Sequence, residues 1–368
     1  MTRGGPFALT EQELFWRDVQ PFLLDRGYSL RPRYAPDWKP SWAGTNINPR
    51  FCEDGAITVP TWVMDARRAD GTAVAIKWIP DALHTANELD IMRYLSSDEL
   101  QADPRCHTLP LLDTFSHPTI PMADIRGMAR CSPCPVAETL KGLFFLHVHG
   151  VAHRSTFSPS FCATSSLNDA IAIAQLVASW WTSTRCCQAS DGIRRIRCTP
   201  WSTSRARYYL IDMGISSRFN SDSPGPHLVV GTVGRDQTAP ELSDTVPYDP
   251  FKLDVYLLGN YFLTRFIAEH ENLQFLKPVV DAMTHPTPAE RPTIDAAYEQ
   301  LCGILRKQSG RAFRWRLRGY DEPRGFRLAM GTFCFVRELY YWARVPLRGT
   351  RELRFGRPPR CQHLRTSL

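Results

Sequence analysis

A chain of 368 residues with 43% hydrophobic, 22% charged and 11% aromatic residues has apolar material for one large two-lobed domain or two ordinary ones, and this composition excludes wholesale disorder. The formal charge of +7 is uneven: residues 303–368 hold 16 Lys/Arg against 4 Asp/Glu, whereas the first 302 hold 28 against 33, so the basic character belongs to the C-terminal part. No apolar run reaches the length of a membrane span, the opening Met-Thr-Arg-Gly-Gly-Pro lacks a signal-peptide pattern, and eleven cysteines without a secretory leader are expected as reduced thiols in the cytoplasm or nucleus, with no membrane partner.

Thr10-Glu-Gln-Glu13 followed by Leu14, Phe15, Val19, Phe22 and Leu23 predicts a capped helix that ends near Gly27, kinked at Pro21. An irregular, Pro- and Trp-rich strap should follow, so that residues 1–60 form an N-terminal extension. Residues 61–66 and 73–78 flank Asp70-Gly71 as the β-rich arms of a hairpin. Leu89, Met92 and Leu95 predict a helix over 87–95, and residues 110–115 read as a further strand, which makes residues 61–122 a small α+β unit.

From Ala137 the character turns helical up to Gly150, and the stretch Phe251 to His270 has a wide apolar stripe with few charges, as a helix inside a lobe requires. Pro292 to Leu305 supplies another amphipathic helix. Between them, residues 155–207 are crowded with Ser, Thr, Cys and Arg without a period and are expected to be an irregular insertion. Cys131 and Cys134 have zinc-knuckle spacing, but no second pair completes four ligands, so a structural metal is not expected there. Residues 306–368 form a basic extension, whose Arg- and aromatic-rich stretch 311–318 is either a solvated terminal helix or a contact for nucleic acid or an acidic surface.

The order of short motifs carries more than any one of them. Val74-Ala-Ile-Lys77 on a hairpin arm, Glu88 on the next helix, His149-Gly-Val-Ala-His153-Arg154 after a long helix, Leu210-Ile-Asp212-Met-Gly214, Ala239-Pro-Glu241, Asp254 through Gly259 and Arg291-Pro-Thr293 resemble the signature set of the eukaryotic protein kinases in its correct sequence. The wider wording, with Thr238-Ala-Pro-Glu-Leu242 and Pro247-Tyr-Asp-Pro-Phe251, resembles the kinase-like proteins of mushroom-forming fungi. The resemblance covers roughly residues 62–305. It implies an α+β, two-lobed protein-kinase-like fold: a small β-rich N-lobe over 61–122 and a mainly helical C-lobe over 123–305.

It also implies Mg-ATP as cofactor and protein hydroxyls as acceptors. Lys77 would bridge the α- and β-phosphates and pair with Glu88, Ala75 would line the adenine pocket, and Asp212 would hold magnesium. Glu241 and Arg291 would form a buried pair bracing the larger lobe. Phosphorylation of Ser221, Ser223 or Thr232 would place a charge opposite Arg154.

The chain departs from that pattern in its catalytic loop, His153-Arg-Ser155-Thr-Phe-Ser-Pro-Ser160. Ser155 stands in place of the aspartate base and Ser160 in place of the metal-binding asparagine, and a hydroxyl is no base near neutral pH. No G-x-G-x-x-G loop precedes the hairpin. Residues 116–135, where the family places a hinge strand and a further helix, are too short and proline-rich for both. The sequence therefore predicts either a kinase of impaired phosphoryl transfer or a pseudokinase that scaffolds partner proteins. The composition of residues 123–207 is also what a retained intron or a shifted reading frame would put into an active kinase.

Overall fold

A computed structural model describes residues 9–46, 52, 54, 63–79, 86–117, 120–127, 135–155, 161–162, 185–190, 193–198, 209–220, 225–308 and 317–344. Helix α1 (Glu11–Leu24) begins at the expected capping box: the Thr10 hydroxyl accepts from the Glu13 amide at 3.3 Å and the Glu13 carboxylate accepts from the Thr10 amide at 2.9 Å. The helix runs unbroken through Pro21, and Gly27, at φ 79°, turns the chain into the sheet. Its buried Trp16, Val19 and Leu23 recur at helical intervals on one face.

That face packs on a five-stranded antiparallel sheet of β1 (Tyr28–Ser29), β2 (Val63–Arg68), β3 (Ala73–Trp78), β4 (Leu111–His117) and β5 (Ile120–Gly127), in the order β1-β2-β3-β5-β4. The β2–β3 turn is closed by the Asp70 carboxylate, which accepts from the Thr72 amide at 2.8 Å, with Gly71 at φ 83°. Alternation along β3 sends Val74 and Ile76, both fully buried, toward α1 with Met64 and Ala66. Ala75 and Lys77 therefore share the opposite face. Phe15 stacks on Trp78 at 4.7 Å, and Arg33, itself sealed from solvent, grips the Glu13 carboxylate at 2.6 Å. Residues of α1, β1 and the turn Pro32–Tyr34 thus contribute to the sheet's own core.

Strand β5 occupies part of residues 116–135, the stretch expected to be too short and proline-rich for both a strand and a further helix. It lies between β3 and β4, with Lys77 opposite Asp124, and the sheet continues past the anticipated boundary at residue 122. Pro121 is accommodated at the start of the strand, where the β4–β5 register slips between Phe115 and His117 and no ladder bond is needed from it.

The second buried cluster is helical. It gathers α2 (Ala86–Leu95), α4 (Pro135–Val148), α5 (Pro250–Phe262), α6 (Lys277–Met283) and α7 (Ile294–Lys307), with α3 (Asp98–Ala102) beside α2. In α7 the buried residues Ile294, Ala297, Tyr298, Leu301, Cys302 and Leu305 fall at i, i+3, i+4, i+7, i+8 and i+11, a stripe that buries about 1.5–3 kcal/mol per large apolar side chain. The apolar helix expected over 251–270 ends as α-helix at Phe262 and passes through a π turn, Leu263–Ile267. Helix α8 (Arg324–Arg344) closes the described chain.

Short ladders lie beside the helical cluster: β6 (Val151–Ala152) pairs with β11 (Ser217–Arg218), and β7 (Phe161–Cys162) pairs with β10 (Tyr209–Leu210). Within the segment expected to be irregular, β8 (Arg185–Ser190) and β9 (Ile193–Cys198) form a six-pair antiparallel hairpin. Small antiparallel sheets and helices together make a mixed α and β fold. Reduced thiols hold for Cys52, Cys106 and Cys334, whereas Cys302 is disulfide-bonded, which corrects that expectation at one position. Cys131 and Cys134 lie outside the described residues, as does the stretch 311–316.

Candidate functional site

Lys77 leaves the outward face of β3 and meets two carboxylates. Its ammonium donates to both oxygens of Glu88, at 2.6 and 2.8 Å, and to Oδ1 of Asp212 at 2.8 Å. The two partners differ in setting: the Glu88 side chain on α2 is sealed from solvent, while that of Asp212 is 56% exposed. One cation between two carboxylates leaves a formal charge of −1. A sealed carboxylate needs such pairing, because an unpaired buried charge costs several kcal/mol. Glu88 therefore locks α2 to the sheet, and Asp212 is the group with freedom to change partners.

Asp212 lies in the turn between β10 and β11 with φ 66°, in the left-handed region that short polar residues tolerate best. The turn is held from both sides. The Ile211 carbonyl is bonded to Nε2 of His153 at 3.0 Å, and Ser216 Oγ donates to the His153 carbonyl at 3.0 Å. A Cβ on Gly214 would stand 3.3 Å from both Asp212 Oδ1 and Glu88 Oε2, so these carboxylates would have to shift by a few tenths of an ångström to admit one.

The loop that carries His153, Arg154 and Ser155 is anchored by one buried carboxylate. Asp254, inside α5 and fully buried, accepts from the backbone amides of His153 at 2.7 Å and Arg154 at 2.6 Å, and from Nε2 of His147 at 2.9 Å. These bonds hold Arg154 at φ 60°, a strained position for a side chain of its size. Gly150, just upstream, has φ 68°, and a Cβ on it would come within 2.4 Å of the Phe219 carbonyl. Only glycine fits.

Arg154 donates to three neutral oxygens, those of Ser217 at 3.1 Å, the Val230 carbonyl at 3.0 Å and the Tyr248 hydroxyl at 3.2 Å. Its Nε is buried without an acceptor, and among the described residues no carboxylate pairs with it. Thr232, one of the three expected phosphorylation positions, donates to Asp244 at 3.0 Å; Ser221 and Ser223 lie outside the described residues. A phosphate on Thr232 would therefore face the Asp244 carboxylate.

The structure thus brings Lys77, Glu88 and Asp212 within hydrogen-bond distance and puts Ala75 on the same face of β3 as Lys77. Ser155 ends the described part of the loop, and Ser160 lies outside the described residues. Glu241 and Arg291 form the anticipated pair: two parallel bonds, with the guanidinium fully sealed, stacked 4.6 Å over Tyr256 and donating further to the Lys252 and His285 carbonyls. Asp254 is the residue whose work sequence reasoning did not assign. Its signal was legible, since a lone carboxylate in the apolar stripe of a central helix needs several donors.

Among the described residues no group of three or more His, Cys, Asp or Glu forms a metal cage, and no helix is long and apolar enough to cross a membrane. Compared with known proteins, the chain matches no family model and no curated sequence.

Proposed function

We propose that the chain is a protein-kinase-like domain that binds Mg-ATP between a small β-rich lobe and a mainly helical lobe, and transfers phosphoryl groups to protein hydroxyls slowly because Ser155 stands where the base would be. The observation that carries this reading is the Lys77 ammonium held between Glu88 and Asp212 at 2.6–2.8 Å. The separate apolar clusters of the sheet and of the helices support the two-lobed division.

The donor set fits a phosphate-bound magnesium. That ion is normally held by one or two protein carboxylates together with the oxygens of the nucleotide, and Asp212 offers one accessible carboxylate. The bound ion and nucleotide supply a polarised γ-phosphoryl group. Lys77 would neutralise the α- and β-phosphate oxygens while Glu88 fixes its position, and Ala75 leaves room for a flat base against β3. Asp254, through the loop amides, would set where the acceptor hydroxyl lies. Ser155 has a hydroxyl and no carboxylate to receive the acceptor's proton, and general acid–base assistance is worth about 10²–10⁴-fold.

A thermal-shift titration with ATP, with and without magnesium, followed by a radiolabelled transfer assay, tests the reading. Binding with slow transfer is the expected result. Lys77→Met should weaken nucleotide binding about tenfold or more by removing the phosphate cation. No ATP-induced shift in the wild type would overturn the proposal. A shift without any transfer would leave the second reading, favoured by Ser155, of a pseudokinase that scaffolds partner proteins.

A further inference from the structure

Lys77 joins three elements at one point: its own strand β3, helix α2 through Glu88, and the β10–β11 turn through Asp212. Two sides of that triangle pass through the ammonium. The third side, from α2 to the strand that follows the turn, is closed without it. The Arg218 guanidinium on β11 lies 3.5 Å over the ring of Tyr94, in the last turn of α2. A cation at this distance from a ring face is held by the ring's quadrupole. Among the described residues no carboxylate pairs with Arg218. Tyr94 is partly buried against the helical cluster and Arg218 is exposed, so the contact lies at the surface and either residue can be changed without opening the core.

Strand β11 is fastened on its other side as well. Its ladder with β6 sets Arg218 opposite Val151 and Ser217 opposite Ala152, and Ser217 Oγ accepts from Arg154 at 3.1 Å. The amides of His153 and Arg154 donate in turn to Asp254. A path that does not include Lys77 thus runs from α2 through Arg218 to the Asp254-anchored loop.

That independence has a use, because the Lys77 bonds are the ones that must change when a nucleotide enters. On the reading above, Lys77 turns donors to phosphate oxygens and Asp212 turns to the metal, so their 2.8 Å bond is given up as the site fills. A second tie keeps the turn and the helix in place through this exchange, and order already present need not be created on binding.

We propose that Arg218 is a positioning residue: stacked on Tyr94, it holds the Asp212 turn and helix α2 at a fixed spacing while Asp212 exchanges Lys77 for the nucleotide-bound metal. The inference rests on the proposed nucleotide site and deepens it. Arg218 and Tyr94 act through Asp212 and Glu88, with no ligand contact assigned to either.

Thermal-shift titrations of the full chain with ATP, in magnesium and in EDTA, test it. Arg218→Ala should weaken binding in magnesium about two- to fivefold, the reach of an exposed cation–π contact, and leave binding in EDTA unchanged. Loss of positive charge alone would weaken both. Tyr94→Leu, which keeps the charge, should match Arg218→Ala. Tyr94→Phe keeps the ring face and should match the wild type, and Arg218→Lys keeps the cation and should recover most of the affinity. The combination of Arg218→Ala with Tyr94→Leu should lose no more than either alone. Equal weakening in magnesium and EDTA, a fully additive double variant, or wild-type affinity in Arg218→Ala would each overturn the proposal while the nucleotide reading stands. A wild type that shifts under neither condition overturns the nucleotide reading itself, and this inference with it.

Discussion

Glu88 and Asp212 bond the same ammonium, yet the first is sealed from solvent and the second is 56% exposed. The same division runs through the region around them. Asp254 and the Glu241–Arg291 pair are buried and saturated with partners, whereas Ser155, which follows the Asp254-anchored loop, is only partly buried. The contrast separates two kinds of polar residue. The sealed ones set where the backbone goes, and their loss is paid in stability. The open ones can meet a ligand, and their loss should register in binding or rate while the fold is left alone.

The sharpest attempt to break this division is Glu241→Ala or Arg291→Ala. Each leaves the other half of a sealed pair uncompensated and should cost about 3–5 kcal/mol in denaturant unfolding. A loss below about 1 kcal/mol would show that the pair is not part of the frame. On the open side, Ser155→Asp supplies the missing carboxylate. If Asp254 already places the loop, radiolabelled transfer should rise about 10²-fold or more, with little change in stability. An unchanged rate would mean that the loop is not positioned for transfer.

Asp212→Asn makes a smaller perturbation. Asparagine tolerates φ 66° as aspartate does, so unfolding free energy should move by less than about 1 kcal/mol, while the magnesium-dependent part of the ATP-induced shift disappears. A large loss of stability would place Asp212 with the frame instead.

The smallest expected effect is on pH dependence. Burial lowers the pKa of His270 below the ordinary histidine value, against the opposing hydrogen bond with the Phe266 carbonyl, and burial likewise lowers that of His149 against the pull of Asp103. The folded protein therefore keeps both rings neutral while the unfolded chain protonates from about pH 6.5 downward. Their contribution to stability is complete above that value and declines as the pH falls toward the depressed folded values. Thermal denaturation at decreasing pH should show this fall, and His270→Gln should flatten it.

Much of the frame was legible because it is written in local chemistry. The Thr10–Glu13 capping box, the Asp70-Gly71 turn and the i, i+3, i+4 spacing in α7 each act over a few residues, and each appears where the sequence placed it. The convergence of Lys77, Glu88 and Asp212 was inferred from motif order, since 135 positions separate the first from the last and no periodicity reports such a contact. Strand β5 was not singled out because residues 116–135 read as too short and proline-rich for both a strand and a helix; Pro121 falls at its start, where the β4–β5 register slips. The β8–β9 hairpin was missed because Arg-Cys-Cys-Gln-Ala-Ser and Ile-Arg-Arg-Ile-Arg-Cys show no clean alternation, and backbone pairing defines them more than composition does. An apolar stripe also says that a helix has a preferred side without saying what lies against it. Trp16, Val19 and Leu23 of α1 are buried whereas Leu328 and Leu339 of α8 are exposed, a difference that the spacing alone does not carry.

The stacking of α1 on the sheet has a consequence for biosynthesis. Trp16, Phe22 and Leu23 leave the ribosome well before Trp78, and longer still before Phe115, which Phe22 meets edge-on at 5.5 Å. At elongation rates of about 5–20 residues per second, these greasy side chains wait seconds for the surface that covers them. Nascent chains of this protein should therefore be most vulnerable to chaperone capture before the fourth strand emerges, and a pause in translation upstream of it would lengthen that exposure.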